Sequence, residues 1–246
     1  MIRLSIGNVG SGKTVCEVRE MVINQAKIKY YTNIKTTLDY QIDIDGSMIC
    51  SKEEIGVVKS TGELKYKFTL NQDYWRNIKE PITVILDEAH SILNARKFNN
   101  KVNIVVTDWI ALLRRVLGED SRGAGDLVLI TQLPGRVDVI AREMATQVKY
   151  HICHYVKACG DCGASWREHS DMPELMKNCI RCNSINIKKH SHVIEIKAYP
   201  SMDAYTAHKV FGENSHYDHY YINDIGKYFP YYDTLQWDNM FSNLYE

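Results

Sequence analysis

The sequence predicts an α/β fold: a mainly parallel sheet with flanking helices, plus one small cysteine-rich insert. Three observations carry that expectation. Short apolar runs alternate with helix-patterned stretches along the chain, the order from which parallel sheets are built. The first run opens into a glycine-rich turn that leads into a helical pattern. Two C-x-x-C pairs lie close together past the middle of the chain.

Each element follows in order. Ile2, Leu4 and Ile6 alternate as in a strand, and Gly7 begins the turn. Val15, Val18, Met21, Val22 and Ala26 recur at helical spacing. The fold is therefore expected to start almost at residue 1, with no leader domain. Tyr30 to Ile34 reads as a strand. Lys35 to Glu80 is ambiguous, with turns at Asp45-Gly46 and Thr61-Gly62 and a strand expected at Tyr66 to Leu70. Ile82-Thr83-Val84-Ile85-Leu86 is a continuous apolar run of the kind buried on both faces of a sheet. Val102 to Leu117 is helical in pattern, and Gly123 and Gly125 break it. Leu127 to Ile130 is a second buried strand, Val137 to Met144 a short helix, and Val148 to Val156 a strand. Val193 to Tyr199 alternates again. From Tyr205 onward the chain is too aromatic for a solvated tail, and it is expected to pack on the core or on a neighbouring subunit. Three regions result: a core at 1–156, an insert at 157–190, and a strand with an aromatic tail at 191–246.

Composition bounds the rest. The 246 residues carry 30 Lys+Arg against 30 Asp+Glu, and 45% are hydrophobic. That is an ordinary globular composition, neither disordered nor collagen-like. A formal charge of zero excludes a chain coated in phosphate-binding charge, though not a few basic residues on a DNA-facing loop. No apolar run is long enough for a transmembrane helix, and the N-terminus lacks a signal pattern. Seven cysteines, an odd number, fit reduced thiols better than a disulfide framework. A cytoplasmic protein is expected, virion-associated if viral.

Gly7-Asn8-Val9-Gly10-Ser11-Gly12-Lys13-Thr14 fits G-x-x-x-x-G-K-[ST] in full, between an expected strand and an expected helix. Glycines let backbone N–H groups curl around phosphate oxygens at the positive end of a helix. Lys13 is expected to reach the β- and γ-phosphates and the Thr14 hydroxyl to ligate Mg²⁺; Val15 completes the nucleotide-binding set. Asp87 and Glu88 end an apolar strand. Asp87 is expected to hold Mg²⁺ through its water shell. Glu88, projecting differently, can polarise an attacking water. Alone, such a pair is more often a solvated strand end; beside the phosphate loop that alternative weakens. Asp87-Glu88-Ala89-His90 also spells the box of certain helicases, but no second motor domain follows.

Gln132 follows the strand at Leu127, and the carboxyl end of an adjacent parallel strand points into the same crevice. It can sense the γ-phosphate, or simply cap its strand. Arg122 precedes that strand and is a candidate for the arginine that a neighbouring subunit supplies. Arg114, Arg115, Arg136 and Arg142 are rivals, and any of them can equally be a surface charge.

Cys159-x-x-Cys162 and Cys179-x-x-Cys182 are separated by sixteen residues, the spacing of a four-Cys zinc site. Two such knuckles close a tetrahedron and leave no open position, which implies structural Zn²⁺. Unpaired thiols or a disulfide are the alternatives. Cys153, His151 and His154 fall on an expected strand and are read as packing or facing solvent, not as ligands. The insert can serve a DNA contact or a subunit contact.

Taken together these residues resemble the zonula occludens toxin-like ATPases within the FtsK–HerA group of P-loop motors. The resemblance rests on the Gly7–Thr14 loop, Tyr31-Thr32-Asn33-Ile34, Asp87-Glu88-Ala89-His90, Ser121-Arg122-Gly123 before Leu129-Ile130-Thr131-Gln132, Val139-Ile140-Ala141-Arg142, and Tyr231-Tyr232-Asp233-Thr234. It implies a RecA-like ASCE P-loop NTPase that hydrolyses ATP, assembles as a hexameric ring, and translocates or packages DNA. Carried over, Lys13 and Thr14 bind nucleotide and Mg²⁺, Asp87 and Glu88 are the acidic pair, Gln132 is the sensor, and Arg122 is the finger. A capsid or assembly protein is an expected partner. Two features depart from the family: no membrane span follows, and the four-Cys insert is not a hallmark. The alternatives are an ATPase of phage or virus morphogenesis acting on protein partners, and a nucleotide-dependent regulatory switch.

Overall fold

A computed structural model of the chain describes residues 1–57, 60, 62–78, 80–93, 101–119 and 126–233. Nine strands among them form one sheet, with a separate two-stranded hairpin beside it. The first strand, β1 (Ile2–Ile6), runs into the glycine-rich loop and then into helix α1 (Lys13–Asn24). Strands β2 (Lys29–Thr32) and β3 (Gln41–Asp43) follow, then the short helix α2 (Gly46–Ile49). The stretch that is ambiguous in sequence becomes a hairpin of β4 (Cys50–Val57) and β5 (Leu64–Leu70), followed by α3 (Gln72–Arg76). Next come β6 (Ile82–Leu86), α4 (Ala89–Ile92), α5 (Lys101–Glu119) and β7 (Asp126–Thr131). A short helix, α6 (Val139–Glu143), leads into the long strand β8 (Gln147–Cys159).

Six strands in the order β8-β1-β7-β6-β2-β3 are parallel. The expected mainly parallel sheet is therefore present. Alternation within its central strands divides the core in two. Val84, Leu86, Leu127 and Leu129 face the side covered by α5, where Trp75 and Trp109 meet with ring centroids 5.3 Å apart. Ile85, Val128 and Ile130 face Val18 and Met21 of α1. Residues on both faces of β6 are buried, as its unbroken apolar run demands.

Beyond the parallel portion, β8 pairs antiparallel along nearly its whole length with β10 (Ile187–Tyr199). The first residues of β8 also pair with β1, up to Ile6 with Tyr150. Past that point β9 (Ser165–His169) takes the vacated side, from His154 with His169 to Ala158 with Ser165. The stretch read as an insert is thus the tip of a protruding ribbon. Helix α7 (Met202–Phe211) is capped by the Ser201 hydroxyl, which accepts from the Ala204 N–H at 3.2 Å, and ends at Gly212 with φ of 71°. Strand β11 (Asp218–Ile222) adds an antiparallel edge. A 3-10 turn at Ile225–Tyr231 lays Ile225 and Tyr228 against Val15 and Cys16 of α1. Part of the aromatic tail thus packs on the core, while Tyr217 and Tyr221 stay exposed. No helix among the described residues is long and apolar enough to cross a membrane.

Candidate functional site

The turn after β1 needs its glycines. Gly7, Gly10 and Gly12 all have positive φ. At Gly7 (φ 152°) a Cβ would stand 2.6 Å from the His151 carbonyl oxygen. At Gly12 (φ 87°) it would stand 2.1 Å from Ile194 Cδ1. At Gly7 and Gly12 the loop is therefore wedged against the β8–β10 ribbon with no space for a side chain, whereas Gly10 faces open space. His151, beneath it, is buried and held neutral, its pKa pushed by burial down to about 3. Cys153, two residues on and on the same face of β8, is buried and its thiol is pushed by burial up to about 11. Both side chains pack in the interior.

Lys13 is buried, and its ammonium donates to the carbonyls of Gly7 at 3.0 Å and Asn8 at 2.9 Å. Burial lowers its pKa, while Asp87 and Glu88 pull the other way. A buried cation resting on carbonyl oxygens suits an anionic ligand, since charge buried without a counter-charge is unfavourable.

The acidic pair arrives from β6. Asp87 Oδ2 accepts from the Thr14 hydroxyl at 2.8 Å. Burial raises the Asp87 pKa, and the bonds from Thr14 and the Glu88 N–H oppose it. Asn33, just past the end of β2, fixes the Asp87 backbone from both sides. Its Oδ1 accepts from the Asp87 N–H at 2.7 Å, and its Nδ2 donates to the Asp87 carbonyl at 3.0 Å. Glu88 sits in the left-handed region (φ 51°), a conformation uncommon for a residue with a side chain. This turn re-aims its carboxylate relative to Asp87. Glu88 Oε1 accepts from Gln132 Nε2 at 2.8 Å. Glu88 Oε2 is buried without a hydrogen bond among the described residues, with His90 Nδ1 3.2 Å away. Thr131 Oγ1 lies 3.2 Å from the same His90 nitrogen.

Strand β7 lies between β1 and β6. Its carboxyl end therefore emerges between the phosphate loop and the acidic pair, which is why Gln132 reaches Glu88. Lys13, Thr14, Asn33, Asp87, Glu88, His90 and Gln132 line one cleft of about 850 Å³, within the size range of ligand sites. Val15 also lines it.

The cysteine tip is a second cluster. The four Sγ atoms of Cys159, Cys162, Cys179 and Cys182 all lie within 4.8 Å of one another, with Cys159 3.6 Å from Cys182 and Cys162 3.5 Å from Cys179. Sulfurs at about 2.3 Å from a central ion stand about 3.8 Å apart, so the four thiols fit a tetrahedral metal site. A disulfide, at about 2.05 Å, does not match. The two knuckles are built alike. Gly163 (φ 70°) and Asn183 (φ 60°) close them, donating to the carbonyls of Cys159 at 3.1 Å and Cys179 at 3.0 Å.

The segment after β9 returns to the phosphate loop. Asn8 Nδ2 donates to the Ser170 carbonyl at 3.0 Å and to Asp171 Oδ1 at 3.1 Å. Asp171 is itself held by Tyr150 OH and by Lys209 Nζ of α7, the latter at 3.0 Å. Behind it, Lys157 Nζ lies 2.7 Å from Glu168 Oε2, both side chains almost fully buried.

The structure thus lines one cleft with Val9, Gly10, Gly12, Lys13, Thr14, Val15, Asp87, Glu88 and Gln132, and groups the four cysteines into one cluster; Gly7, Asn8 and Ser11 belong to the same loop but not to that lining. Arg122 lies outside the described residues, as do the side chains of Arg114 and Arg115. Arg136 is exposed, and Arg142 Nε donates to the Val137 carbonyl at 3.1 Å. Asn33, His90 and Thr131 are site residues that sequence reasoning did not single out. Asn33 ends a strand next to β6, and the strand-end logic that identified Gln132 applies to it equally.

Residues 1–160 match the family model described as zonular occludens toxin (Zot). Among solved structures, the chain is similar to the N-terminal domain of zonular occludens toxin from Neisseria meningitidis, at 19% identity over 94% of this chain and 98% of that one, with a TM-score of 0.45. It is also similar to the genome packaging NTPase B204 of Sulfolobus turreted icosahedral virus 2 in complex with ATP-gammaS, at 16% identity over 61% and 74% of the two chains, with a TM-score of 0.35. The DNA-packaging ATPase B204 of Sulfolobus Turreted Icosahedral Virus gives the same figures, 16%, 61%, 74% and 0.35. No curated protein sequence matches.

Proposed function

We propose that this chain, which belongs to the zonular occludens toxin (Zot) family, hydrolyses ATP and uses the energy to move DNA. The observation that carries the hydrolysis reading is the meeting of three strand ends at one cleft. Thr14 bonds Asp87, and Gln132 bonds Glu88, across β1, β7 and β6. Motion of DNA rests on the motif set shared with P-loop motors.

The residues have distinct tasks in this reading. The loop N–H groups and Lys13 bind the phosphates, with the lysine exchanging its carbonyl partners for phosphate oxygens. Thr14 and Asp87 are the residues that would hold Mg²⁺; their paired oxygens form a hard-donor set suited to it. When bound, Mg²⁺ supplies positive charge to the β- and γ-phosphate oxygens. Glu88 Oε2, with no hydrogen bond of its own, accepts from the attacking water. Gln132 holds the other carboxylate oxygen and so fixes the direction of the base. Asn33 keeps Asp87 in place through its backbone. Arg122 acts from a neighbouring subunit in a hexameric ring. The four cysteines hold one Zn²⁺ as a closed structural site, to which their softness and spacing are suited.

The test is ATPase turnover of the full chain with and without single- and double-stranded DNA. Lys13→Ala is expected to abolish turnover and Glu88→Gln to slow it by about 10²–10⁴-fold, and DNA to stimulate the unaltered protein. Turnover indifferent to any DNA would remove the motor reading, and stimulation by a coat or assembly protein instead would replace it with morphogenesis.

A further inference from the structure

We infer that the half of the cleft away from the phosphate loop is a nucleobase site, walled by the last described segment of the chain. The inference rests on the nucleotide reading above and extends it to the nucleoside. Beyond Val15 the cleft is lined by Tyr155, Leu175, Ile225, Phe229 and Tyr232, together with the charged Lys189 and Asp233. Aromatic and aliphatic side chains predominate in this lining, whereas the phosphate end is charged. That division matches a nucleotide, whose flat base gains from stacking while its phosphates need cations.

The placement of the wall is not casual. Tyr232 forms a β-bridge with Thr36, and the Thr37 N–H donates to the Tyr231 carbonyl at 2.9 Å. The Asp233 N–H donates to the Lys35 carbonyl at 3.4 Å. The segment is therefore tied by its backbone to the loop that leaves β2, three residues past Asn33. On its other side Ile225 packs against Val15, in the first turn of α1. The base wall is held by the same two elements that carry the phosphate loop and the Asp87 clamp. Lys189 Nζ lies 4.6 Å from the Tyr155 ring centroid, which places a donor where the ring nitrogens of a purine could accept. Four of those five apolar residues lie beyond residue 160, outside the stretch that matches the family.

Isothermal titration of the full chain with Mg²⁺–ATP and with Mg²⁺–tripolyphosphate separates the two halves. Phe229→Ala and Tyr232→Ala are each expected to weaken ATP about tenfold, the loss of one stacking partner, and to leave tripolyphosphate unchanged. Tyr232→Phe should bind ATP as the unaltered chain does. ATP affinity unchanged in both alanine variants would overturn the inference. So would a parallel loss of tripolyphosphate, because the wall would then act on the whole fold and not on the base. Lys13→Ala should lose both ligands. If it retains both, the phosphate reading fails, whatever the aromatic variants do.

Discussion

Glu168→Ala tests how the ribbon is held together. The Glu168 side chain is 1% exposed and that of Lys157 7%. Glu168 Oε1 accepts from Trp166 Nε1 at 2.7 Å and from the Met176 N–H at 3.1 Å, while Oε2 faces Lys157 Nζ at 2.7 Å. Truncation strands two donors and leaves the Lys157 ammonium with the Met176 carbonyl, 2.6 Å away. Breaking a buried pair by removing one partner costs about 3–5 kcal/mol. Glu168→Gln keeps an acceptor for the two N–H groups and should cost about half as much, since only the charge is lost. Lys157→Met with Glu168→Leu should cost less than the sum of the single changes, because no lone charge remains. Urea unfolding, with free energies extrapolated to water, reads all six proteins: the parent, Glu168→Ala, Glu168→Gln, Lys157→Met, Glu168→Leu and the double change. Burial pushes the Glu168 pKa up, but the Lys157 and Trp166 bonds outweigh it and leave the value lowered. A lowered carboxylate contributes stability above its unfolded value, about pH 4.3, and loses it as pH falls through the folded value. The gap between parent and Glu168→Ala should therefore be full near neutral pH and narrow in acid below that value. A single-variant loss under about 1 kcal/mol, or a gap that widens in acid, would refute the reasoning.

Further outcomes are expected. Glu88→Gln should bind ATP as the parent does and slow turnover by about 10²–10⁴-fold, the usual contribution of a general base; equal turnover would remove Glu88 from the chemistry. Asn33→Leu should destabilise the chain by about 1–3 kcal/mol by leaving the Asp87 N–H unpaired, and calorimetry should show weaker Mg²⁺–ATP binding. Elemental analysis should find about one Zn²⁺ per chain, falling to near zero in Cys162→Ser with Cys179→Ser, as a closed four-thiolate site requires. Gly12→Ala should destabilise the fold by about 1–3 kcal/mol, and Ile194→Ala in the same chain should return part of that loss, because the added methyl meets Ile194.

The phosphate loop was legible because its chemistry is local: eight consecutive residues carry the whole requirement. Gln132 was legible through a rule about strand ends, and Asn33 obeys the same rule without being identified by it. The ribbon was harder to read. Lys157 and Glu168 look like solvated charges on a polar insert, yet they face each other in a buried pair created by the β8–β9 turn. The 3-10 wall was illegible for a related reason. Phe229 and Tyr232 are aromatic in either reading, and only the bridge to Thr36, nearly two hundred residues earlier, turns them toward a cleft. Helix α7 left clear signals, a Ser201 cap and a closing Gly212, but an aromatic-rich surrounding masked them. The four cysteines declared themselves by spacing alone, while the bond from Asn8 to Asp171 depends on how far the ribbon folds back.

The ribbon also connects two parts of the molecule. From Tyr150 to Cys159 it extends nine residues, about 30 Å at a strand's rise. Its root lies against Gly7 and Gly12, and its returning limb grips Asn8. One ribbon thus carries the cysteine cluster at its tip and the packing surface of the glycine-rich loop at its root.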